Sequence, residues 1–86
     1  MSKDELIKFA QDQLARWKEK ANGPDPEYSA FARGKIPFFE ALLAGASDTP
    51  QPWEQLGLLD AVNDTFQKLG KVSSGDTFYK LPAEES

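Results

Sequence analysis

The chain has 86 residues, 40% hydrophobic and 12% aromatic, with ten Lys and Arg against fourteen Asp and Glu for a net charge of −4. That suffices for one modest core and is too apolar for a disordered chain. Cysteine and histidine are both absent, which excludes disulfides, thiolate chemistry, metal sites built on Cys or His, and the commonest general base. Any catalysis would fall to carboxylates, Lys, Tyr or Ser in a domain barely large enough for a pocket, so a non-enzymatic protein without cofactor or metal is expected. No apolar run is long enough for a bilayer. The N-terminus lacks the basic and apolar regions of a signal peptide. A small secreted domain would ordinarily carry disulfides, so the expected location is the cytoplasm.

Ser2 and Glu5 form a capping box, S-x-x-E, which starts a helix. Leu6, Ile7, Ala10, Leu14, Trp17 and Ala21 follow within an arc of roughly 100°, an apolar stripe. Its other side carries Lys8, Arg16 and Lys20, interrupted by Asp12 and Glu19, with Phe9 among them. Asn22-Gly23-Pro24 ends the helix, with Gly23 free to take the left-handed position. Asp25-Pro26-Glu27 restarts one: Asp25 caps, Pro26 fits the first helical position and Glu27 suits the positive end of the dipole. Gly34 is expected to end this short element, because Pro37 disfavours helical geometry at Ile36. Pro37 then opens a third helix, Pro37 to Gly45. Alternatively, 26–44 is one helix kinked at Pro37. Phe38, Phe39, Leu42 and Leu43 make this the most apolar segment, and a homodimer could bury what one small core cannot cover.

Residues 45–52 read as a loop. Pro50 or Pro52 opens a fourth helix, which Gly70 ends, with Leu58, Leu59, Val62, Phe66 and Leu69 as its core face. Residues 71–81, KVSSGDTFYKL, read as a β-hairpin around Gly75 and Asp76 that leans on the helices through Val72, Phe78 or Tyr79, and Leu81. The fold expected is therefore mainly α: three or four short helices in a small bundle with a C-terminal hairpin, one domain over 1–82 and a frayed acidic tail over 83–86.

Helices followed by a hairpin match the element order of winged-helix domains. Such a domain would bind DNA through Lys68, Lys71 and Lys80 around the wing. Charge argues against it. Residues 1–24 sum to +1, 25–45 to −1, 46–70 to −3 and 71–86 to −1, so the would-be recognition helix lies in the most acidic stretch. Phosphate would be repelled there over a screening length of roughly 10 Å. On that helix Trp53, Leu56, Asp60 and Asp64 share an arc of roughly 80° away from the core stripe. An aromatic anchor beside acids suits a partner protein with a basic surface, such as one that handles nucleic acid. Against this, Trp53 could fold back onto Phe38 or Phe39 and be core. The function expected is an adaptor or inhibitor that binds another protein through this face, as monomer or homodimer, with a DNA-binding regulator as the alternative.

Overall fold

The computed structural model describes residues 1–71 and 77–80. Three helices follow one another: α1, Lys3–Lys20; α2, Pro26–Ala46; and α3, Trp53–Lys68. The start of α1 is as the sequence dictates. The Ser2 hydroxyl accepts from the Glu5 amide at 3.2 Å, and the Glu5 carboxylate accepts from the Ser2 amide at 2.8 Å. Glu5 is thereby held below the usual carboxylate pKa, first by the backbone amide of Ser2 and then by its hydroxyl. At the start of α2, Asp25 accepts from the amides of Glu27 and Tyr28, and Pro26 occupies the first turn.

One stop did not operate. Residues 26–46 form a single helix with Pro37 inside it, so the break at Gly34 and the separate helix from Pro37 are corrected in favour of the single-helix alternative, and the molecule has three helices among the described residues. Pro37 is exposed. The hydrogen bond it cannot donate belongs to the carbonyl of Arg33, also exposed, where water can replace it. Burial on either side, at Ala32 before and Ala41 and Leu42 after, holds the helix together across the gap.

The helix ends divide between expectation and surprise. Gly70 takes a left-handed φ of 76° after α3, with the Gly70 amide on Gln67 and the Lys71 amide on Phe66, a Schellman closure. Gly23, expected to do the same for α1, does not have a positive φ. The Asn22 and Gly23 amides instead continue the winding onto the carbonyls of Glu19 and Lys20. At the end of α2 the left-handed residue is Asp48, φ 57°. Its amide reaches Gly45 at 3.3 Å and that of Thr49 reaches Ala44 at 2.8 Å.

α2 is the central element. α1 packs on it through Leu6, Ala10, Leu14 and Trp17, and α3 through Leu59, whereas no Cα of α1 comes within 8 Å of one of α3. Leu59 is completely buried. It abuts Gly45, where an added Cβ would lie 2.6 Å from Leu59 Cδ2 and 2.8 Å from Tyr79 Cδ2.

The C-terminal segment corrects the hairpin. Thr77–Lys80 form a turn, closed by the Lys80 amide on the Thr77 carbonyl at 3.3 Å. The described residues contain no strand, and so no wing is formed among them. The rest of the predicted hairpin, residues 72–76 and 81, and the tail 83–86 lie outside the described residues. The reason is visible in two adjacent rings. A strand would send Phe78 and Tyr79 to opposite faces, but both turn inward. Phe78 meets Phe66 edge-on at 5.0 Å, and Tyr79 is buried over Gly45. The Phe78 amide is taken by Asn63 Oδ1 at 2.7 Å.

That bond also rolls α3 about its axis. Asn63, one turn from Leu59, is buried, while Leu58 and Leu69, both expected in the core, are exposed. Val62 and Phe66 are half-buried.

Candidate functional site

α3 runs from a proline that caps it by position alone: Pro52 has extended backbone and no side-chain hydrogen bond closes the first turn. The loop before it carries Trp53 away from the core. The ring does not fold back on Phe38 or Phe39; it is 83% exposed. Glu54, Asp60 and Asp64 are exposed along the same helix. Asp60 and Asp64 are one turn apart and Trp53 lies two turns before Asp60, so the three line one stripe. Among the described residues none of these three carboxylates has an ion-pair partner.

The fourth expected member of the face is placed differently. Leu56 is half-buried and lines a hollow of about 380 Å³ with Gly45, Pro50, Gln51 and Tyr79. It is the inner wall of the site, and Trp53 stands outside. Gln51 Oε1 is buried without a hydrogen-bond partner. The rim of the hollow is closed by Asp48, which binds the ammonium groups of Lys80 and, at 3.3 Å, Lys3. These hydrogen bonds, Lys80 first and then Lys3, hold the Asp48 carboxyl below its ordinary pKa.

Of the three lysines expected to contact DNA, Lys80 is thus engaged by Asp48, and Lys68 and Lys71 are exposed around the end of α3. Among the described residues no group of three or more Asp and Glu side chains is arranged to hold a metal ion. No described helix is long and apolar enough to cross a membrane.

A second feature joins residues that the sequence separates. Where α1 ends and α2 begins, Trp17, Tyr28 and Phe31 cluster with ring centroids 6.0 to 6.3 Å apart. The Lys35 ammonium lies 4.0 Å from the Trp17 centroid and the Arg16 guanidinium 5.5 Å from it, within cation–π range. The helical stripe found Trp17 but could not find its cations. Lys35 reaches it from another helix, and only the (i, i+4) spacing of Phe31 and Lys35 hinted that they share a face.

No protein-family model matches this chain, and no curated protein or solved structure with which it was compared matches it.

Proposed function

We propose that the protein is a non-enzymatic interaction module, an adaptor or inhibitor that binds another protein through the outer face of α3. The observation that carries this reading is Trp53. A tryptophan buries 150–250 Å² when it finds a partner, and folding has left this one in water. Covering it is worth about 3 kcal/mol. An aromatic ring of this kind is what most often dominates an interface. Glu54, Asp60 and Asp64 set the sign of the partner. A surface rich in Lys and Arg is drawn to them, gaining mainly in association rate and in selectivity. A partner that handles nucleic acid would have such a surface.

The test is capture from a lysate of the source cells by the tagged full chain, with and without nuclease, alongside Trp53→Ala and Asp60→Lys. Both positions are exposed, so both variants should keep the wild-type circular dichroism and melting temperature. The expected result is a stoichiometric protein partner that survives nuclease and is lost from both variants. Trp53→Ala should weaken the purified complex by about 2 kcal/mol or more, roughly thirtyfold in Kd. Capture that is indifferent to both substitutions, or proteins recovered only through nucleic acid, would refute the reading.

A further inference from the structure

The aromatic cluster at the α1–α2 junction is the converse of the α3 face. Its centre is apolar. Tyr28 and Phe31 stack with their planes 16° apart, and they remain 42% and 55% exposed although both touch Trp17. Its surround is cationic. Arg16 and Lys35 lie over the Trp17 ring, and Lys18, Lys20 and Arg33 are exposed on the same two helix segments. Among the described residues no carboxylate forms an ion pair with any of these five cations. The acids nearest in sequence are Glu19, Asp25 and Glu27, of which Asp25 is turned to the amides it caps. One end of the molecule thus offers open rings among unpaired cations. The other offers an open indole among unpaired carboxylates.

A single chain cannot bring these together. Phe31 lies in the first half of α2, and α3 is seated against Gly45 in its last turn. About 20 Å of helix separates the two points, at 1.5 Å per residue. Two chains can. We propose that the occupant of the cationic aromatic face is the α3 face of a second copy, with Trp53 covering the Tyr28–Phe31 stack and Asp60 and Asp64 opposite Arg16 and Lys35. In the proposed dimer the two copies lie antiparallel about a twofold axis, so that each copy's α3 face meets the other's cationic aromatic face and the assembly closes. Each contact combines an aromatic anchor with opposite charges, the pattern that carries energy and orientation in small interfaces. The inference rests on the reading of α3 as a binding face. It adds that an outside partner of that face must displace the second copy.

Sedimentation equilibrium of the full chain at concentrations up to about 1 mM tests it in two buffers. In about 10 mM salt the screening length is about 30 Å and in about 1 M salt about 3 Å. The apparent mass should climb from 9.6 kDa toward twice that value in low salt and return to the monomer in high salt. The reversals Arg16→Glu with Lys35→Glu, and Asp60→Lys with Asp64→Lys, should each give a monomer. An equimolar mixture of the two should regain the dimer mass, because each then meets its complement. Trp53→Ala, at an 83% exposed position, should weaken the dimer at least tenfold and serves as the readout if a reversal fails to fold.

A wild-type chain that stays at 9.6 kDa in low salt overturns the proposal. So does a dimer that persists in both reversals, a mass that grows without limit, or an acidic peptide or single-stranded oligonucleotide that binds the Tyr28–Phe31 face of a monomeric wild type. If the chain is monomeric while partner capture still depends on Trp53, the dimer falls and the α3 reading stands. If Trp53→Ala changes neither, both fall.

Discussion

Gly45 is the residue on which the junction of α2, α3 and the C-terminal turn depends. Its missing side chain lets the fully buried Leu59 and the ring of Tyr79 come to the backbone of α2. A methyl group there meets atoms at 2.6 and 2.8 Å, and neither neighbour is at a free surface. Gly45→Ala overpacks the seam at about 1–3 kcal/mol and regains about 1 kcal/mol of helix propensity, so it should cost up to about 2 kcal/mol net in urea denaturation. Asp48, three residues on, combines two roles. It takes the left-handed position that closes α2, and its carboxylate ties Lys80 of the C-terminal turn to Lys3 of α1. Because its folded pKa lies below the ordinary value, the unfolded chain binds a proton more readily as the pH falls. The stabilisation is therefore complete above the unfolded pKa of about 4 and is lost as pH falls through the folded value. Asparagine tolerates the same backbone and removes only the charge. The urea midpoint of Asp48→Asn should lie below that of the wild type at pH 7, and the gap should close as the pH is lowered below about 4.

Among the elements, α2 shows where local signals yield to tertiary ones. Its cap at Asp25 and the capping box of α1 involve residues two to three apart, and were legible in the sequence for that reason. The continuity of α2 through Gly34 and Pro37 was legible only as the alternative to a break at Gly34. It depends on what α1 and α3 bury around Ala32, Ala41 and Leu42, and nothing within a few residues of Pro37 reports that. The cost of the interior proline remains, so Pro37→Ala should raise stability. About 3 kcal/mol of helix penalty is relieved and up to about 1 returns through a freer unfolded chain, a net gain of about 2 kcal/mol by urea or thermal melting. The roll of α3 had a similar origin. A count of apolar residues at helical spacing favours Leu58 and Leu69, but the face is chosen by Asn63, whose bond to Phe78 spans fifteen positions. For the candidate site, the stripe of Trp53, Asp60 and Asp64 followed from spacing alone. The exposure of Trp53 depends on the course of the loop before it, and Leu56 turned inward with the same roll.

At the scale of the molecule the arrangement is open. The radius of gyration is 14.1 Å, against about 12 Å for a compact chain of this length. Phe31, Trp53 and Leu69 are more than half exposed. An 86-residue chain whose outer helices meet only its middle one leaves much apolar surface for others to cover. The same topology divides its cohesion into two tiers. α1 and α2 are zipped along most of their length by Leu6, Ala10, Leu14 and Trp17, whereas α3 is held by a shorter seam at Gly45, Leu59 and Tyr79, with the Phe66–Phe78 ring contact and the bond from the Phe78 amide to Asn63. α3 can come away as a unit while the helix pair beneath it persists, a partial opening that costs less than global unfolding. The face that carries Trp53 thus rides on the more easily released of the two outer helices. Any molecule that grips both this face and the α1–α2 layer adds a second seam, and the free energy of its binding goes directly into holding α3 down.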